Sequence, residues 1–174
     1  MMKKIRRSLI GVLFILLGLS IVTVSAFVYE QANQTIDQNI VEVATITLKN
    51  SDLGSIYEGE TKTYTNSQVP NLGNAITITT TKADVYLHLD SDLNLLADYS
   101  TYDIVVKFSQ VVGSTYSVGQ TACTLSLANP DYDSINLDAA GTWKFDFEIT
   151  TTVNSVSADT STTVTITVLA ESSA

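Results

Sequence analysis

Gly141-Thr142-Trp143-Lys144-Phe145-Asp146-Phe147-Glu148-Ile149-Thr150-Thr151-Thr152 is the stretch whose reading decides the fold. Trp143, Phe145, Phe147 and Ile149 fall on one face of an extended chain, and Lys144, Asp146, Glu148 and Thr150 on the other. Alternation with a period of two marks a strand with one face in a core and one in water. Burying four such side chains contributes roughly 1.5–3 kcal/mol each, so this strand is expected to hold the domain together.

Outward from it the same pattern recurs. Towards the C-terminus, Val164, Ile166 and Val168 alternate with threonines, which makes Thr162–Leu169 the expected hairpin partner across an Asn154–Thr160 turn. Towards the N-terminus, Ile40–Leu48, Thr61–Thr65, Ala75–Thr81, Asp84–Leu89, Tyr102–Ser109 and Gln120–Leu127 read as strands rich in Thr, Val, Ile and Tyr. Turn residues separate them at Gly54, Gly59, Val69–Asn74, Gly113, Gly119 and Asn129-Pro130, and Asp90–Ser100 is the one place for a short helical turn. About eight short strands with almost no helix signal point to an all-β fold, a single antiparallel β-sandwich of jelly-roll or immunoglobulin-like kind. It is expected over residues 40–174.

The N-terminus carries an export pattern. Lys3, Lys4, Arg6 and Arg7 precede the apolar run Leu9–Leu19, and Val24-Ser25-Ala26 places small residues before a signal peptidase site. The uncharged stretch Ser8–Tyr29 also has the roughly 20 residues that a membrane-spanning helix needs. Residues 1–26 therefore read as a signal peptide or an uncleaved anchor. Either way the body lies outside, touching a membrane only through that helix. Residues 27–39 read as a polar linker or a donated segment, with an N-glycosylation sequon at Asn33-Gln34-Thr35.

Charge narrows the function. Beyond residue 26 the chain holds five lysines, no arginine and all eighteen acids, a net −13. A body so acidic repels phosphate backbones, which excludes general nucleic-acid binding. Catalytic constellations are missing too. His88, the single histidine, alternates onto the solvent face of its strand, and no glycine-flanked nucleophile is present. Asp146 and Glu148 share the outward face of one strand, as solvated carboxylates do. Cys123 is alone and reads as a small core residue. Seven of the tyrosines (57, 64, 86, 99, 102, 116 and 132) are scattered, with nothing in the spacing to assemble a sugar-binding platform. Asp90-Ser91-Asp92-Leu93-Asn94 opens like a calcium loop, but Leu95 stands at the turn glycine and Thr101 at the bidentate glutamate. Asp131 and Asp133 form a second acidic pair in the loop after Pro130. Asp90, Asp92, Asp131 and Asp133 are thus the only metal candidates, with calcium the one cofactor that they would suit.

Two resemblances follow. Asp138-Ala139-Ala140-Gly141-Thr142-Trp143 resembles the approach to the penultimate strand in immunoglobulin-like extracellular sandwiches, with Trp where those carry the corner tyrosine. The segment I-T-L-K-N-S-D-L-G-S-I-Y-E-G-E-T-K-T-Y-T, behind a basic signal, is similar to camelysin-type matrix fibre proteins and archaeal bundling pilins; Tyr57-Glu58-Gly59-Glu60 replaces their Pro-Gly turn. That second resemblance implies assembly by donor-strand exchange, in which Ile36, Ile40, Ala44 and Ile46 would fill a groove in the next subunit. The expected function is a non-enzymatic cell-surface structural protein that associates with itself or other envelope proteins. The alternative is a membrane-anchored module that binds carbohydrate or an envelope protein.

Overall fold

The computed structural model describes residues 42–156 and 158–172. The signal or anchor segment, the polar linker, the Asn33 sequon, Ile36 and Ile40 lie outside the described residues.

Alternating Thr/Ile/Val segments form two antiparallel sheets in a β-sandwich arrangement. The decisive stretch is β8, Gly141–Val153, at the centre of the larger sheet. One side of β8 pairs with β5 (Tyr99–Gln110), which in turn pairs with β6 (Thr121–Leu125). Two strands share the other side. β3 (Ile76–Thr80) pairs with Gly141–Phe145 and carries β1 (Ala44–Leu48) on its outer edge, while β2 (Thr61–Tyr64) pairs with Ile149–Thr152. The chain between β2 and β3 makes a 3-10 turn at Pro70–Leu72, burying Leu72 to 1% exposure. Asn74 follows in the left-handed region, φ 49°, a conformation that Asn tolerates, and its N–H donates to Asp146 at 2.7 Å.

The smaller sheet has the order β7 (Tyr132–Leu137), β4 (Val85–Ser91), β9 (Ile166–Ser172). Its inner residues Val85, Leu87, Leu89, Ile135, Leu137 and Val168 share one core with Ile76, Ile78, Ile104, Val106, Trp143 and Phe145 of the larger sheet. Trp143 and Phe145 are fully buried and Ile149 nearly so. Phe147 is half-buried.

Two expectations are corrected. β9 does not form a hairpin with β8; it pairs with β4, with Leu89 opposite Val168. Both edges of β8 are already taken, so the chain after Val153 crosses the end of the sandwich to the other sheet. The strand also starts later than its pattern, at Ile166 rather than Thr162. Secondly, Tyr132 and Asp133 lie on a strand, not in a loop. Ile135 and Leu137 supply β7's core face, and an Asp/Ser/Asn-rich surrounding hides that alternation. The short helical turn is present at Leu93–Leu95.

One end of the sandwich holds both termini of the described domain. Ala44 pairs with Thr80, Thr80 with Gly141, and Ser172 with Val85, which sits opposite Leu137 just before the Asp138–Gly141 turn.

Candidate functional site

The residues with chemistry in them are engaged structurally. Asp92 Oδ1 accepts the N–H of Thr165 at 2.9 Å, which ties the crossing chain to the 3-10 turn. Asp90 is exposed at the end of β4, and Ser91 between them is buried, its hydroxyl donating to the Pro130 carbonyl at 2.6 Å. That bond brings the segments carrying Asp90/Asp92 and Asp131/Asp133 side by side. Even so, among the described residues no group of three or more potential ligands is placed to hold a metal ion. Asp146 accepts from Asn74 and from the Asn66 amide at 3.2 Å, and Glu148 pairs with Lys107 at 2.7 Å. The two carboxylates are thus fastened to different neighbours along one strand face. His88 stands on the outer face of β4, 3.7 Å from Glu171. The Cys123 thiol is 4% exposed, and burial pushes its pKa up to about 12. A thiol so suppressed is a poor nucleophile. Tyr64 and Tyr102 are core residues, and burial raises the Tyr102 hydroxyl to about 12.

The surface left to consider is the flank where the first and last strands adjoin. β1 bounds the larger sheet and β9 the smaller; among the described residues neither has a second strand partner. Ala44, Ile46 and Leu48 alternate onto the inward side of β1, while Thr45 and Thr47 face water. Ile166 and Ala170 lie on β9 beside buried Val168, and Val164 precedes them in the crossing chain; all three flank the core. Ala44, Ile46, Val164, Ile166 and Ala170 pack against the core yet remain partly exposed, and Leu48 is 46% exposed. The flank is therefore an apolar seam that the two terminal strands close incompletely.

β1 itself, A-T-I-T-L, carries no charge, no proline and no bulge. Those are the devices by which edge strands usually prevent pairing with another chain. Of the residues expected to drive assembly, Ala44 and Ile46 sit on this seam, within the chain's own sheet. Ile166 and Ala170 were not foreseen as part of it, because their alternation suits either a β8 hairpin or the observed β4 pairing. The seam needs no titratable group; what it can do is accept or exchange an extended apolar strand. No protein-family model matches the chain, and no curated protein matches it significantly.

Proposed function

We propose that this is an exported, non-enzymatic structural protein of the cell surface, a filament subunit assembled by strand exchange. The carrying observation is the uncharged edge strand β1 on an incompletely closed apolar seam. In the assembled form the segment that closes the edge of its own sheet closes that of the next copy. Ile36, Ile40, Ala44 and Ile46 are the groove-filling side chains. A five-residue edge strand is a small element to release, and strand exchange between identical chains replaces like contacts with like. The export pattern supports the reading by placing this segment directly after the signal.

Electron microscopy of the mature protein, with N-terminal sequencing of the same sample, is the test. Fibres are expected from the exported body and not from a chain lacking Met1–Leu48, which removes Ile36, Ile40, Ala44 and Ile46 together. Ile46→Lys, which puts a charge in the seam, should reduce fibre formation strongly while leaving a folded monomer. Equal fibre formation by the truncated chain would falsify strand exchange. A monodisperse monomer with its N-terminus intact would favour the membrane-anchored binding module instead.

A further inference from the structure

The connection from β5 to β6, residues 111–120, folds over the end of the core as a strap held at three points. Tyr116 stacks on Phe108 (ring centroids 4.5 Å apart, planes at 22°) and stands edge-on to Trp143 at 6.3 Å. Val112 presses against Gly141, whose φ is 143°; a Cβ there would lie 2.8 Å from Val112 Cγ1. The third point is the carboxylate of Asp138. Its Oδ2 accepts both the N–H of Thr115, at 3.1 Å, and the Thr115 hydroxyl. Its Oδ1 is buried against Gly113 so closely that any side chain at 113 would overlap the carboxylate.

We infer that Asp138 is an acid-released latch, and that protonating it frees the strap and uncovers the aromatic edge of Phe108 and Trp143. Oδ2 holds two donors, and Oδ1 is buried against Gly113 without a hydrogen-bond partner. A proton on Oδ2 would displace a donor, and one on Oδ1 would meet neither an acceptor nor room; the latch therefore favours the ionised, acceptor-only carboxylate. Tyr116 on the strap feels the Asp138 charge and that of Tyr132 on β7; β7 also carries Asp133, and β8 carries Lys144, Asp146 and Glu148, the last two bonded elsewhere. Among the described residues no lysine or histidine lies within ion-pair distance to hold it charged by another route. The Thr115 hydroxyl, the largest influence, and the backbone N–H groups of Thr115 and Ser114 hold the Asp138 carboxyl below its ordinary value of 3.8 against the opposing effect of desolvation. A depressed folded-state pKa means the latch contributes fully above the unfolded pKa and is lost as pH falls through the folded one.

Trp143, the single tryptophan, reports on the strap directly. In the full chain, Trp143 emission and acrylamide quenching should change below about pH 4, before far-UV circular dichroism does. Asp138→Asn and Gly113→Ala should show the released signal already at pH 7, with quenching raised several-fold and strand content kept. Thr115→Val should shift the acid transition to higher pH. The latch is overturned if Asp138→Asn and Gly113→Ala match the native protein at pH 7. It is equally overturned if the tryptophan signal of the native chain moves only together with global unfolding.

Discussion

Phe145 shows how much one inward position can hold. It is fully buried at the middle of β8, opposite Ile76 on one side and Phe108 on the other, with the Phe108 ring 4.9 Å away. Removing the ring takes contacts from both flanking strands at once and leaves a cavity that rigid neighbours cannot fill. Phe145→Ala should therefore cost about 3–5 kcal/mol, measured as the loss in urea-unfolding free energy; a loss under about one would mean the neighbours collapse into the space. Trp143, two residues earlier, has a second role. Its Nε1–H donates to the carbonyl of Ala139 at 3.1 Å, four residues back. That bond ties the Asp138–Gly141 turn to the core by a ring that also fills it. On the opposite face of β8, threonines pair across strands: Thr79 with Thr142 at 3.0 Å, Thr61 with Thr152 at 2.9 Å and Thr63 with Thr150 at 3.1 Å. Such pairs contribute a few tenths of a kcal/mol to about 1 kcal/mol each.

At the scale of elements, the pairing of β9 with β4 is the assignment most open to direct test. Asp90 and Thr167 lie opposite each other on these strands. A chain carrying Asp90→Cys and Thr167→Cys should form an intramolecular disulfide on mild oxidation, read by mass spectrometry. A β8–β9 hairpin would put residue 167 on the larger sheet, away from residue 90 on β4, and forbid it. Why was this pairing not legible? Period-two alternation in Val164, Ile166 and Val168 fixes which face is buried but carries no label for the neighbour. The choice was made by occupancy: β5, β3 and β2 already satisfy both edges of β8. By contrast β3, β4, β5 and β8 were readable because each alternates over at least five residues. β7 escaped because Tyr132–Leu137 is half polar and follows a proline, so turn chemistry masked its two core residues. The candidate site was legible only in its β1 half. Ala44 and Ile46 show in the local pattern, whereas Ile166 and Ala170 join them through a crossing between sheets that no local pattern encodes.

For the molecule as a whole, the alkaline limb of stability follows from two buried protons. Cys123 and Tyr102 sit in the shared core, and burial raises both groups to about 12 from ordinary values of 9.0 and 10.0. Desolvation is the leading cause for each; Tyr99, Tyr64 and Asp92 add to it for Tyr102 by charge repulsion. A raised folded-state pKa means the folded protein keeps a proton that the unfolded chain gives up. Stability is therefore full below the unfolded pKa and falls as pH rises towards the folded one. The loss should begin near pH 9 with the thiol, steepen past pH 10 when the tyrosine joins, and level off near 12. Within that window each group removes about 1.4 kcal/mol per pH unit. The acidic body works in the same direction, since rising pH adds negative charge to a chain that already repels itself. Urea unfolding at intervals from pH 8 to pH 11 should show the midpoint falling in two stages. Cys123→Ala should remove the first stage and leave the second in place. An unchanged onset in that variant would mean that the thiol does not titrate from a buried state. The share of tyrosine ionisation that belongs to Tyr64, Tyr102 and Tyr116, followed by ultraviolet absorbance, should then lag behind free tyrosine until the chain unfolds.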